Sequence, residues 1–99
     1  MSGIYTPRTK IVCTLGPSTA NDDAIRGLIE AGMNVARVNF SHGTHDQHTK
    51  TIAMVRRLAE ESGKPIAILG DLQGPRIRIG ELAQAITLKV GEDITLVHE

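Results

Sequence analysis

Apolar residues in this chain occur as short unbroken runs that alternate with stretches of helical spacing, and the alternation occurs twice. Residues 10–15 form the first run. Its Ile11, Val12 and Cys13 are consecutive, which predicts a strand covered on both faces. Gly16, Pro17 and Ser18 then turn the chain. Asn21 is placed to cap a helix, Ala24, Ile25, Leu28 and Ile29 share one face of it, and Asp22 and Asp23 lie where the helix dipole favours negative charge. Gly32 ends that helix. A second strand is predicted over residues 34–39, and its short connection suits a right-handed β-α-β unit. Gly43 and Thr44 open a second helix over about residues 45–62. Ile52, Val55, Leu58 and Ala59 face inward, Arg56, Arg57, Glu60 and Glu61 mostly outward, and Gly63 is the cap. A third buried strand is predicted over residues 66–71 and ends on the carboxylate of Asp71.

From Arg76 onward the pattern changes. Arg78-Ile79, Ala85-Ile86-Thr87-Leu88 and Asp93-Ile94-Thr95-Leu96-Val97 are short runs separated by Gly80 and Gly91 with no helical period, so the tail is read as β-rich. The β-α-β-α-β order before it implies a parallel sheet. A closed (β/α)8 barrel needs roughly 250 residues, so 99 supply only its opening. The third strand would then keep an unpaired side, an edge that invites association.

Composition narrows the function. Eleven basic and eleven acidic residues leave no net charge, and aromatics make up 2% of the chain. Such a chain lacks both the cationic excess and the stacking platforms of nucleic-acid binding. No apolar run approaches the roughly 20 residues of a membrane span, and Met1, Ser2, Gly3, Ile4 and Tyr5 lack the basic-then-apolar layout of a signal peptide. Cys13, the single cysteine, has no partner for an intrachain disulfide, and a cytoplasmic location is expected.

The chemistry-bearing residues gather after the second and third strands. In parallel α/β folds, ligands bind outside the carboxyl ends of the strands, where Arg37-Val38-Asn39-Phe40-Ser41-His42-Gly43 stands. Arg37 offers a planar fork to a phosphate or carboxylate, or else a surface ion pair. Asn39 and Ser41 alternate along the strand direction and suit one hard cation, or else cap the next helix. His42, His45 and His48 recur every third residue without the Cys or second carboxylate of a zinc site, and a solvated loop and first helical turn is the better reading. Asp71 is a cation ligand or a cap for the turn at Gly74-Pro75. Arg76 and Arg78 would share a face in an extended chain, gripping phosphate or forming a solvated edge. The Gly70 to Pro75 segment lacks the lysine of a phosphate loop.

Three segments carry a resemblance. Thr9-Lys10-Ile11-Val12-Cys13-Thr14-Leu15-Gly16-Pro17-Ser18, the stretch from Ala31 through Arg37 to Gly43, and Gly70-Asp71-Leu72-Gln73-Gly74-Pro75-Arg76-Ile77-Arg78 resemble the N-terminal portion of pyruvate kinase, in that family's order and spacing. The resemblance covers nearly all of this chain and about the first fifth of a typical member. It implies the first three β/α units of a (β/α)8 TIM barrel over residues 1–76, followed over 77–99 by the beginning of an inserted β-rich lid domain. It further implies a glycolytic enzyme that transfers the phosphoryl group of phosphoenolpyruvate to ADP, giving pyruvate and ATP, and that is a homo-oligomer, a tetramer, when full length.

By position in the motifs, Arg37 resembles the catalytic arginine that contacts the substrate phosphate. Asn39, Ser41, Asp71 and Leu72 resemble ligands of a monovalent cation, and Asn39, His42 and Arg78 resemble nucleotide-contacting residues. Leu72, Gln73 and Arg76 depart from the threonine, lysine and glutamate of many members. Arg76 resembles the subgroup that works without added potassium, so its guanidinium is an alternative to K+. The Mg2+ ligands and the catalytic lysine that the resemblance implies would lie beyond Glu99, and the isolated chain is expected to be inactive. A reading of another class also stands: a catalytically silent interaction module that pairs its open strand edges with itself or a longer partner.

Overall fold

The computed structural model describes residues 7–98. The amino-terminal residues 1–5, read above for a signal peptide, and the outer limits 1 and 99 of the two expected domains lie outside them. The described residues form β1 (Val12–Leu15), a single 3-10 turn (Pro17–Thr19), α1 (Asp22–Ala31), β2 (Val35–Asn39), α2 (His45–Ser62) and β3 (Ala67–Asp71). The strands make one parallel sheet in the order β1-β2-β3.

The helix ends follow the chemistry of their caps. The Asn21 side chain accepts the Ala24 N–H at 2.9 Å, and Thr44 does the same for Gln47 at 3.2 Å while the Gln47 side chain accepts the Thr44 N–H at 2.9 Å. That reciprocal pair satisfies two backbone donors which the first turn of any helix leaves without an intrahelical partner. Gly32 and Gly63 close the two helices, each donating its N–H back to the last turn. The predicted range of α2 matches the observed one at both ends. The strands are each shorter than predicted at the start. At β1, Asn34 supplies the pairing instead, its side chain accepting the Ile11 N–H at 2.8 Å while its own N–H donates to the Ile11 carbonyl at 3.0 Å.

Both helices cover one face of the sheet. Leu15, Ile25, Ile29, Met33, Ala36, Val55 and Leu58 form the core, with Cys13, Leu28, Met54, Ile66 and Ile68 packed around it. Ile25 and Ala36 are wholly buried. Parallel crossovers of one hand put successive helices on the same side of a sheet, so α1 and α2 lie together. An ion-pair ladder runs along their contact: Arg57 bonds Asp22 at 2.6 Å, and Arg26 pairs with Glu61 at 3.6 Å one turn further along both helices. The outward residues Arg57 and Glu61 therefore still serve the helix pair.

Two expectations are corrected. The continuous apolar run in β1 predicts cover on both faces, yet Val12 is 53% exposed and Leu69 of β3 is 44% exposed, because only the helical face has a covering layer among the described residues. The short apolar runs of the tail predict strands, but residues 72–98 form none and are exposed throughout. One element of a hairpin is present there, a turn in which the Glu92 N–H donates to the Lys89 carbonyl at 3.1 Å. A strand is held by backbone pairing to a neighbour, and the apolar side chains of this segment have no sheet to lie on.

Candidate functional site

The register of the parallel strands determines which polar groups meet. Val12, Thr14, Val35, Arg37, Asn39, Ala67, Leu69 and Asp71 alternate onto the face away from the helices, with Thr14 beside Arg37 and Asn39 beside Asp71. Arg37 reaches diagonally across β3. Its Nε donates to Asp71 Oδ2 at 3.0 Å, its Nη2 donates to the same oxygen, and its Nη1 donates to Thr14 Oγ1 at 3.0 Å. A guanidinium on an apolar sheet face is thus neutralised by one neighbour and oriented by the other. Asp71, considered above as a possible cap of the following turn, serves Arg37 instead.

The chain leaving β2 turns sharply. Asn39 Oδ1 accepts the Ser41 N–H at 3.0 Å, and the His42 N–H donates to the Asn39 carbonyl at 3.4 Å. Ser41 therefore lies beyond the strand, in a turn built on the Asn39 side chain, and does not continue the strand's alternation. Phe40 ties this turn to β3, because its N–H donates to the Asp71 carbonyl at 3.0 Å. Gly43 completes the loop at φ +76°, and a Cβ there would stand 3.0 Å from Gln47 Oε1 and 3.1 Å from His48 Cε1. Both the left-handed backbone and the crowding require glycine.

Beside this loop lies a cleft of about 620 Å³. Thr14, Pro17, Asn39, His42, Lys50 and Met54 are among the residues lining it. Thr14 belongs to both parts of the site, holding Arg37 on one side and lining the cleft on the other. The cleft combines apolar walls with a lysine, the amides of Asn39 and Gln47 and the imidazoles of His42 and His48, a lining suited to a ligand with one flat apolar end and one anionic end.

The remaining candidates are not drawn in. Leu72, Arg76 and Arg78 are exposed, outside any strand, and take no part in the Arg37 network. Among the described residues no three His, Cys, Asp or Glu side chains stand where they could share a metal ion. His48 instead bonds the His42 carbonyl at 2.7 Å. The oxygens of Asn39, Ser41 and Asp71 are the hard donors that a monovalent cation takes, and Asn39 and Asp71 are register neighbours, so their chemistry fits such an ion. Sequence reasoning passed over Thr14 and Phe40. Thr14 was available from the alternation with Val12 once β1 was paired with β2; Phe40 depends on contacts that no spacing encodes.

Residues 6–99 match the family described as pyruvate kinase, barrel domain. The pyruvate kinase of Chlamydia muridarum is 49% identical over 92 residues, which are 93% of this chain and 19% of that protein. That of Mycobacterium tuberculosis strain H37Rv is 52% identical over 82 residues, 83% of this chain and 17% of that protein. The crystal structure of Cryptosporidium parvum pyruvate kinase superposes with a TM-score of 0.66 at 46% identity, covering 68% of this chain and 14% of that one. The chain spans about a fifth of the length of the curated relatives it matches.

Proposed function

This chain belongs to the pyruvate kinase family, and from that premise we propose that it forms the substrate-phosphate and nucleotide side of an enzyme that transfers the phosphoryl group of phosphoenolpyruvate to ADP. The observation that carries the reading is the Arg37 guanidinium, aligned by Asp71 and Thr14 at the carboxyl ends of the strands beside the cleft. Three of its five N–H groups are committed to Asp71 and Thr14, so two remain for phosphate oxygens. Phosphoryl transfer asks little covalent chemistry of a protein. It asks for reactants held in line and for charge on the moving group to be neutralised, and a pre-oriented guanidinium does both.

In this proposal Arg37 holds the phosphate of phosphoenolpyruvate, and Asn39 and His42 on the cleft wall face the nucleotide. Arg78 joins them only if the tail folds over the site. The oxygens of Asn39, Ser41 and Asp71, with the Leu72 carbonyl, would hold a monovalent cation, and the Arg76 guanidinium is its alternative. Mg2+ supplies neutralisation of the transferring phosphates in such enzymes, and the family resemblance implies that its ligands and the catalytic lysine are not among these residues. The chain alone is therefore proposed to be inactive. Residues 77–99 are proposed to begin a lid domain, and the full-length enzyme to be a cytoplasmic homo-oligomer acting in glycolysis.

Titration of phosphoenolpyruvate into the 15N-labelled chain tests the reading. The Arg37 side-chain signals should shift on addition of phosphoenolpyruvate and those of Asn39 and His42 on addition of MgADP. In a full-length enzyme carrying this segment, Arg37→Ala should lower kcat/KM for phosphoenolpyruvate by about 100-fold or more, the scale of losing one pre-oriented group on developing charge. An Arg37→Ala enzyme that keeps its kcat/KM would overturn the assignment.

A further inference from the structure

The loop that carries His42, leaving β2 directly after Asn39, has neither helix nor strand of its own, yet it is held at a defined shape from α2. We infer that His48 is a positioning residue for the cleft, latching the loop of residues 40–44 so that His42 lines the cavity beside Asn39 at the end of β2. The inference rests on the nucleotide-facing reading of that cleft. His48 also lines the cleft itself, so the latch is read from the His42 carbonyl and the His48 tautomer, and MgADP affinity is the downstream consequence.

The first observation is the 2.7 Å contact between His48 Nε2 and the His42 carbonyl. A carbonyl oxygen only accepts, so Nε2 carries the proton. The second is packing. The His48 ring lies against Phe40 with centroids 4.8 Å apart and planes tilted by 52°, and His45 approaches the same ring edge-on at 6.4 Å. One imidazole therefore holds both ends of the turn, Phe40 by its ring and His42 by its carbonyl. The third is complementarity of space. Any Cβ on Gly43 would stand 3.1 Å from His48 Cε1, so the loop closes onto the ring with no room for a side chain.

Phe40 also carries the constraint further. Its N–H is bonded to the Asp71 carbonyl, and its ring would stand 3.1 Å from a Cβ on Gly70. A line of packed and bonded groups thus joins His48 on α2, through Phe40, to the end of β3 and the carboxylate that orients Arg37.

The test uses the 99-residue chain and three variants. His48→Ala removes donor and ring, His48→Phe keeps a ring and removes the donor, and His48→Gln keeps a donor. In the wild type, long-range 1H–15N spectra should show His48 as the Nε2–H tautomer. The His42 carbonyl 13C resonance should move towards its unstructured position in the Ala and Phe variants and return in Gln. MgADP should bind the Ala and Phe variants about tenfold more weakly and the Gln variant within about threefold of wild type, the scale of one net hydrogen bond. Circular dichroism shows whether each variant keeps its helices, and the Phe variant decides if Ala unfolds. A wild-type Nδ1–H tautomer, or a His42 carbonyl signal unmoved in both the Ala and Phe variants, overturns the latch. If wild-type cleft signals ignore MgADP, the nucleotide reading fails, while the tautomer and carbonyl signals still decide the latch.

Discussion

Two N–H groups of Arg37 converge on a single oxygen of Asp71, Oδ2, across the face of the sheet that the helices leave open. The Arg37 side chain is 30% exposed and that of Asp71 46%, so water screens the pair and its main effect is orientation. A double-mutant cycle with Arg37→Ala and Asp71→Ala should give a coupling of about 0.2–1 kcal/mol in urea denaturation, shrinking as salt is added. A coupling of about 3 kcal/mol, the scale of a buried pair, would refute this account.

The folded part and the tail should respond oppositely to truncation. Ile25 is wholly buried, and Ile25→Ala should cost about 2–5 kcal/mol. Ile77 is fully exposed, and Ile77→Ala should change stability by less than about 0.5 kcal/mol. Equal effects of the two in denaturant melts would contradict the placement of the core.

Gly43 and Gly70 both face crowded space but differ in backbone. Gly43→Ala forces a side chain onto a positive φ and into His48 and Gln47, and should cost about 1–3 kcal/mol. Gly70 has no such φ, and its one close neighbour is the Phe40 ring, whose edge need give by only a few tenths of an ångström. Gly70→Ala should therefore cost less than Gly43→Ala, an order that thermal melts of the two variants read directly.

The ion pair between the helices sets one pH dependence. The hydrogen bond from Arg57, aided by its charge and that of Arg26, holds the Asp22 carboxyl below its ordinary value of 3.8. Such a group favours the folded state above its unfolded pKa, and that contribution is lost as pH falls through the lower folded value. Asp22→Asn should thus melt below wild type at neutral pH by a small, salt-sensitive margin, and the two melting temperatures should converge below about pH 3.8. A gap that persists at lower pH would assign the effect to something other than the charge.

Local order is what the sequence determined by itself. The spacing of Ile25, Leu28 and Ile29, the caps at Asn21 and Thr44, and the glycines at 32 and 63 each act over a few residues, so both helices and all three strands were legible before any contact was known. Arg37, Asn39 and Asp71 were legible too, as polar residues ending apolar strands. What paired with them was not. Thr14 and Asp71 meet Arg37 only because parallel register sets Thr14 beside it and Asp71 one diagonal away. His48, read from its spacing beside His42 and His45, proved to be a partner of a backbone carbonyl. The tail shows the same division. Its short apolar runs specify strands only where a neighbouring strand accepts their hydrogen bonds, and pairing between segments distant in sequence belongs to tertiary structure alone.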